Sequence, residues 1–175
     1  MNNKKIVYPT ASIIIILDQI IKLLVIHFLK IQEEIIVIPN FFSLYYTKNT
    51  GAAFSILQDQ TLFLIIISVI FILFIHNYIK KEEITDTYMQ FLLGLVIGGI
   101  FGNLIDRIIH RSVIDYLLFH INEHYFPVFN LADSAICIGV LFIIIIMIKE
   151  SRIKKDERNI LWTNKRIMWR SRHNW

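Results

Sequence analysis

Four long apolar segments decide what this chain can become. They run over residues 10–29, 61–79, 88–106 and 132–148, each near the ~20 residues that cross the hydrocarbon core of a bilayer. A backbone in lipid must satisfy its own amides and carbonyls, so such segments span as helices. With 55% hydrophobic residues and a mean hydropathy of +0.57, the chain falls outside the disordered and ordinary soluble classes. The first segment reads as a retained span rather than a removable leader. Asp18 and Lys22 interrupt it, and no Ala-x-Ala-type cleavage site follows.

Charge placement gives an orientation. Lys4 and Lys5 precede the first span, Lys80 and Lys81 follow the second, and a basic tail follows the fourth. From Lys149 onward there are nine lysines and arginines against three acids, whereas the preceding residues carry nine against eleven. The positive-inside rule assigns these three regions and both termini to the cytoplasm. Loops 30–60 and 107–131 then lie outside. The tail's charge suits an anionic membrane surface better than nucleic acid, and no nucleic-acid partner is expected. Two domains follow: a four-helix membrane domain over 1–148, and a cytoplasmic tail over 149–175 containing Trp162, Trp169 and Trp175. Two readings of the tail are open, an interfacial anchor and a solvated disordered segment.

The first outer loop holds Ile35-Ile36-Val37-Ile38 and Phe41-Phe42-Ser43-Leu44-Tyr45-Tyr46, separated by Pro39-Asn40. β-Branched and aromatic runs on either side of a turn predict two short strands. The expected fold is an all-α integral membrane protein: four transmembrane helices with a small extracytoplasmic sheet between helices 1 and 2. Gly94, Gly98 and Gly102 form a small-residue ladder at four-residue spacing, which lets another helix approach closely.

Against this apolar background the charged residues stand out. A carboxylate drawn to the bilayer centre costs about 2.5–3.5 kcal/mol. Asp18 and Lys22 are four apart and can pair, chiefly as an ion pair that positions the helix. Asp115 lies in Val113-Ile114-Asp115-Tyr116, among apolar neighbours that raise a carboxyl's proton affinity. Asp133 begins the fourth span, where the helix dipole favours an ionised carboxylate and Asn130 can cap or orient it. Paired aspartates in different environments can divide base and acid roles in hydrolysing a peptide bond. Asn103 and Arg107 share a face at the outer end of the third span. Two readings of Arg107 are open: it holds a carbonyl, carboxylate or phosphate, or it snorkels to headgroups with Asp106 as partner. Asn49-Thr50-Gly51-Ala52-Ala53-Phe54-Ser55 reads as a turn with exposed backbone amides. His120-Ile121-Asn122-Glu123-His124 matches a zinc-peptidase pattern literally, but in a short loop rather than on a helix, so no metal is expected. Cys137 reads as a small buried hydrophobe.

Five stretches resemble the lipoprotein signal peptidases, the type II signal peptidases of bacteria. They are Asp18-Gln19-Ile20-Ile21-Lys22, Asn49 through Ser55, Gly98 through Arg107, Val113 through Tyr116, and Phe129 through Ser134. Singly each is weak; together, in the family's order and on its four-helix layout, they are specific. The resemblance covers residues 10–148. It implies an aspartic endopeptidase of the bacterial inner membrane, with Asp115 and Asp133 as the catalytic dyad. It implies supporting or substrate-binding roles for Asp18, Lys22, Asn49, Gly51, Asn103, Arg107 and Asn130. The implied substrate is a diacylglyceryl-modified prolipoprotein, cut just before its lipidated cysteine. Membrane lipid and globomycin-type inhibitors are the other partners, the enzyme works as a monomer, and no cofactor is needed. The main rival is a small ion-coupled transporter with an intramembrane Asp and Lys path. Its weakness is that the acids cluster outside with no inner counterpart. A non-enzymatic scaffold held by the glycine ladder is the third reading.

Overall fold

A computed structural model describes residues 6–52, 56–81, 84 and 86–173, the last of these, 157–173, by backbone alone. It has four helices long and apolar enough to cross a membrane: α1 (Val7–Phe28), α2 (Thr61–Lys81), α3 (Thr87–His110) and the part of α4 over Leu131–Asp156. As a regular helix, α4 continues to His173. Two compact units divide the chain, Met1–Val140 and Leu141–Trp175, the second containing α4 from Leu141 onward. Everything that concerns the site lies in the first. Of the tail tryptophans, Trp175 and the side chains of Trp162 and Trp169 lie outside the described residues.

The start of α1 and both ends of α3 have identifiable causes. Pro9 is tolerated in the first turn of α1, where its missing N–H has no intrahelical partner to lose. Asp86 caps α3 by accepting from the amides of Tyr88 and Met89. Arg111 ends α3 in the left-handed conformation at φ 56°, its amide bonded back to the Arg107 carbonyl. Helix α3 is the central one, with 67% of its apolar window buried, against 22% for α1 and 11% for α2. Its glycines explain this. Ala11 of α1 comes so close to Gly98 that a Cβ there would stand 2.8 Å from the Ala11 carbonyl oxygen. Gly99, outside the predicted ladder, takes the Ala132 carbonyl of α4 against its backbone.

The sheet is larger than the sequence suggested. Four antiparallel strands run in the order β1 (Glu34–Ile38), β2 (Phe42–Asn49), β3 (Val113–Ile121) and β4 (His124–Tyr125). The first two occupy the predicted outer loop, with Asn40 at φ 59° in the turn between them. The last two come from the loop between α3 and α4. Strand β3 was hidden because Val-Ile-Asp-Tyr-Leu-Leu-Phe lacks alternation: it is buried on both faces through Tyr116. A bulge sets Tyr45 and Tyr46 of β2 opposite Tyr116 alone, between the pairs Leu44–Leu117 and Thr47–Asp115. Such two-against-one irregularities re-aim side chains. A cluster of Val25, Leu29, Tyr46, Ile114 and Tyr116 joins the sheet to the end of α1. It carries β3, and Asp115 with it, onto the helical bundle.

Candidate active site

Asp115 and Asp133 are 18 positions apart in sequence, and one side chain joins them. The chain after β3 turns back so that Phe129 pairs with Leu117, its carbonyl accepting from the Tyr116 and Leu117 amides. That returns Asn130 to the side of Asp115. Asn130 Nδ2 donates to Asp115 Oδ1 at 2.7 Å, while the Asn130 amide donates to Asp133 Oδ2 at 3.2 Å. In exchange, Asn130 Oδ1 accepts the Asp133 amide at 2.9 Å, a reciprocal cap on the first turn of α4. Asn130 is wholly buried, so these bonds are shielded from competing water.

Each aspartate has a second amide partner. Asn49, the last residue of β2, donates through Nδ2 to Asp115 Oδ2 at 3.1 Å. Asn103 of α3 donates through Nδ2 to Asp133 Oδ1 at 2.7 Å. Asn103 is itself oriented by Lys22 and Asn130, which both donate to its Oδ1 at 3.1 Å. Burial raises the Asp115 carboxyl to about 7, with the Asp133 charge as the second cause; the bonds from Asn49 and Asn130 and the Lys22 charge pull the other way. Near neutral pH, Asp115 therefore exchanges its proton readily, which is what acid–base work requires.

Both aspartates line a cavity of about 540 Å³, together with Asn49, Asn103 and Arg107. Its remaining wall is largely apolar, including Ile100, Val113 and Phe129. An apolar hollow with a few converging polar groups is the usual form of a ligand site. Cys137 also lines this cavity and is exposed, so its reading as a buried hydrophobe is corrected.

The open choice for Arg107 resolves in favour of a carbonyl. Its guanidinium donates to the Gly51 carbonyl at 3.1 Å and, more weakly, to the Asn103 carbonyl at 3.4 Å. Gly51 in turn gives its amide to Asn49 Oδ1 at 2.9 Å. The Gly51 amide is thus spent inside the turn rather than held out as the sequence suggested; Ala53, Phe54 and Ser55 lie outside the described residues. The loop's described half acts as a bracket that fixes Asn49 beside Asp115. The His120–His124 pattern spans the β3–β4 hairpin, where His120 stacks on Tyr125 and approaches Ser43. The two histidines therefore lack the shared helix face that the zinc pattern needs.

Asp18 and Lys22 pair as expected, at 2.8 Å. The sequence offers Asp106 as a partner for Arg107. It instead takes the other side of the Lys22 ammonium, also at 2.8 Å. Its four-residue spacing from Gly98 and Gly102 was the available signal that it faces α1. Gln19, which sequence reasoning does not single out, reaches Asp106 with its side-chain amide at 3.0 Å and the Gly102 carbonyl at 3.2 Å. The Tyr116 hydroxyl oxygen accepts the Leu131 amide at the start of α4.

Known proteins share this chain's family and fold. The family model for signal peptidase (SPase) II matches residues 10–149. A lipoprotein signal peptidase of Clostridium tetani is 44% identical over 137 residues, covering 78% of this chain and 88% of its own. A bacterial membrane enzyme solved by the in meso method at 2.3 Å resolution superposes with a TM-score of 0.76 at 33% identity, covering 81% of this chain and 87% of its own. Another, solved at 1.9 Å, gives 0.72 at 34% identity, covering 80% and 90%. Match length and identity together make the chain a member of the signal peptidase II family, aspartic-type proteases of the bacterial inner membrane.

Proposed function

We propose that Asp115 and Asp133 are the catalytic dyad of a lipoprotein signal peptidase that cuts diacylglyceryl-modified prolipoproteins just before the lipidated cysteine. One observation carries this reading: two aspartates from different elements share Asn130 at the wall of a single cavity. Both aspartates accept two N–H bonds, but Asp133 alone sits in the first turn of α4, where the helix dipole favours the carboxylate. Asp115, protonated up to about 7, is its acidic partner. Asp133 takes a proton from the attacking water while the Asp115 O–H polarises the scissile carbonyl. Asp115 then passes its proton to the leaving amine.

Asn49, Asn103 and Asn130 hold the two carboxyls in register, and Arg107 holds the Gly51 turn. The apolar wall suits the acyl-bearing end of the substrate, and the same hollow suits cyclic peptide inhibitors of the globomycin type. The site faces the extracytoplasmic side, and the enzyme works as a monomer. On strand β1, Ile35, Ile36, Val37 and Ile38 are all exposed, which favours membrane lipid as their neighbour. The membrane domain over 1–148 holds the machinery, and residues 149–175 form a basic appendage.

Replacing Asp115 or Asp133 by Asn tests the dyad, with cleavage of a lipidated prolipoprotein followed in membranes. We expect either variant to insert at the wild-type level and to lose cleavage by at least about 10³-fold, as when one member of a concerted catalytic group is removed. Cleavage retained in both variants would refute the assignment.

A further inference from the structure

The buried charges of α1 and α3 have a geometry that an ion pair alone does not require. The Lys22 ammonium sits between two carboxylates, 2.8 Å from Asp18 Oδ2 and 2.8 Å from Asp106 Oδ2. All three side chains are essentially inaccessible to solvent. Each carboxylate then grips one backbone amide on another element. Asp18 Oδ1 accepts the amide of Ala132 at 3.0 Å, the residue just before Asp133. Asp106 Oδ2 accepts the amide of Ile114 at 3.1 Å, the residue just before Asp115.

We infer that Asp106 is a positioning residue: with Lys22 as hub and Asp18 as counterpart, it forms a clamp that sets the separation of Asp115 and Asp133 through the amide preceding each. The inference rests on the dyad reading given above. Three further contacts fit a clamp better than a simple anchor between helices. Gln19 Nε2 ties the two carboxylates together from the other side, at 3.0 Å to Asp106 Oδ1 and 3.4 Å to Asp18 Oδ2. Lys22 also donates to Asn103, which donates to Asp133, so the hub touches the dyad by a third route. Gly102 leaves the space that Asp18 occupies: a Cβ there would stand 2.5 Å from Asp18 Oδ2. A carboxylate holding a buried amide is a strong, directional bond, and breaking one side of a buried charge network is costly. The amide and the aspartate that follows it belong to consecutive residues of one ordered element, so a shift of one carries the other with it.

Asp106→Ala and Asp106→Asn, in the full chain reconstituted in lipid and assayed on a diacylglyceryl-modified prolipoprotein, separate this from a structural role. The charged groups facing Asp115 are Asp133 from α4, Lys22 from α1 and Arg107 from α3, with the Tyr116 hydroxyl on its own strand. When Asp106→Ala frees the Ile114 amide, Asp115 drifts from Asp133 and feels less of its charge. The expected result is a fall in kcat of about a hundredfold, the size that goes with a misplacement near 1 Å. KM stays within about twofold of wild type, as for an interaction used mainly in the transition state. The alkaline limb of the pH–rate profile moves to lower pH. Asp106→Asn keeps an acceptor for Ile114 and recovers part of both changes.

Asp86→Ala, which removes the α3 cap at the opposite end, supplies the comparison for plain destabilisation. The clamp is refuted if Asp106→Ala keeps the wild-type kcat and limb. It is equally refuted if activity falls with the limb unmoved, as in Asp86→Ala, or if Asp106→Asn shifts the limb as far as Ala does. Should Asp106→Ala fail to insert, Asp106→Asn decides: lower kcat at unchanged KM supports the clamp, and wild-type kcat overturns it. Failure of the dyad reading is distinguishable, because there Asp115→Asn and Asp133→Asn would themselves still cleave.

Discussion

In the proposed dyad, Asp115 also bears on the stability of the fold through its raised proton affinity. Only 2% exposed, it holds its proton up to about 7, whereas an unfolded chain releases it near the ordinary value of 3.8. Between those two values the folded state binds more protons than the unfolded state, so stability falls as pH rises. The contribution is fully present below 3.8 and is lost by about pH 7. Each pH unit in that window is worth at most about 1.4 kcal/mol. Replacing Asp115 by Asn removes the titrating group while keeping its shape. We therefore expect thermal unfolding in detergent to lose its downward trend between pH 4 and 7 in Asp115→Asn, relative to wild type. Parallel pH profiles for the two proteins would contradict the raised proton affinity. The sequence revealed Asp115 and Asp133 because a carboxyl among apolar residues is conspicuous. It concealed Asp106, because its neighbour Arg107 offered a ready but mistaken partner. Which of two nearby cations a carboxylate chooses depends on helix rotation, and rotation is fixed by packing.

At the level of elements, the four spans could be read directly because lipid permits little besides helices, and α1 to α3 end within a few residues of the expected bounds. The second half of the sheet could not, since β3 has no alternation and its partner β2 lies more than sixty positions earlier. Glycine spacing predicted close helix contact but not which helix is met. Gly94 and Gly98 face α1, whereas Gly99 faces the Ala132 carbonyl, next to Asp133. That difference is testable. Gly94→Ala and Gly99→Ala each force a Cβ into backbone or side-chain atoms of a neighbour. Overpacking costs about 1–3 kcal/mol, only partly offset by the ~1 kcal/mol that Ala gains over Gly in a helix. Both variants should unfold at lower temperature. Only Gly99→Ala should also lower kcat, by about ten- to a hundredfold, because it pushes the start of α4 away from Asn103. Equal kcat values for the two would show that the α3–α4 spacing does not control the dyad.

Across the whole molecule, the distribution of basic residues and the position of the cavity make one joint claim. Lys80 and Lys81 close α2, and nine lysines and arginines follow from Lys149 onward. Near an anionic inner leaflet each would contribute on the order of 1 kcal/mol, which is the basis of the proposed orientation. Within Met1–Val140, the sheet and the cavity lie at the C-terminal ends of α1 and α3, beside Arg107 and Asn49. On the proposed orientation, the cavity opens where a translocated, lipidated precursor would arrive. Single-cysteine labelling tests this after Cys137, which lines the cavity, is replaced by Ser. An impermeant maleimide should label Asn122→Cys, in the β3–β4 turn, on intact spheroplasts. Lys80→Cys should react only after the membrane is permeabilised. The reverse pattern would put the dyad on the cytoplasmic side, where the signal peptide's cut site is not delivered. Orientation, substrate access and the dyad assignment would then fail together, since the same chain ends that fix one determine the others.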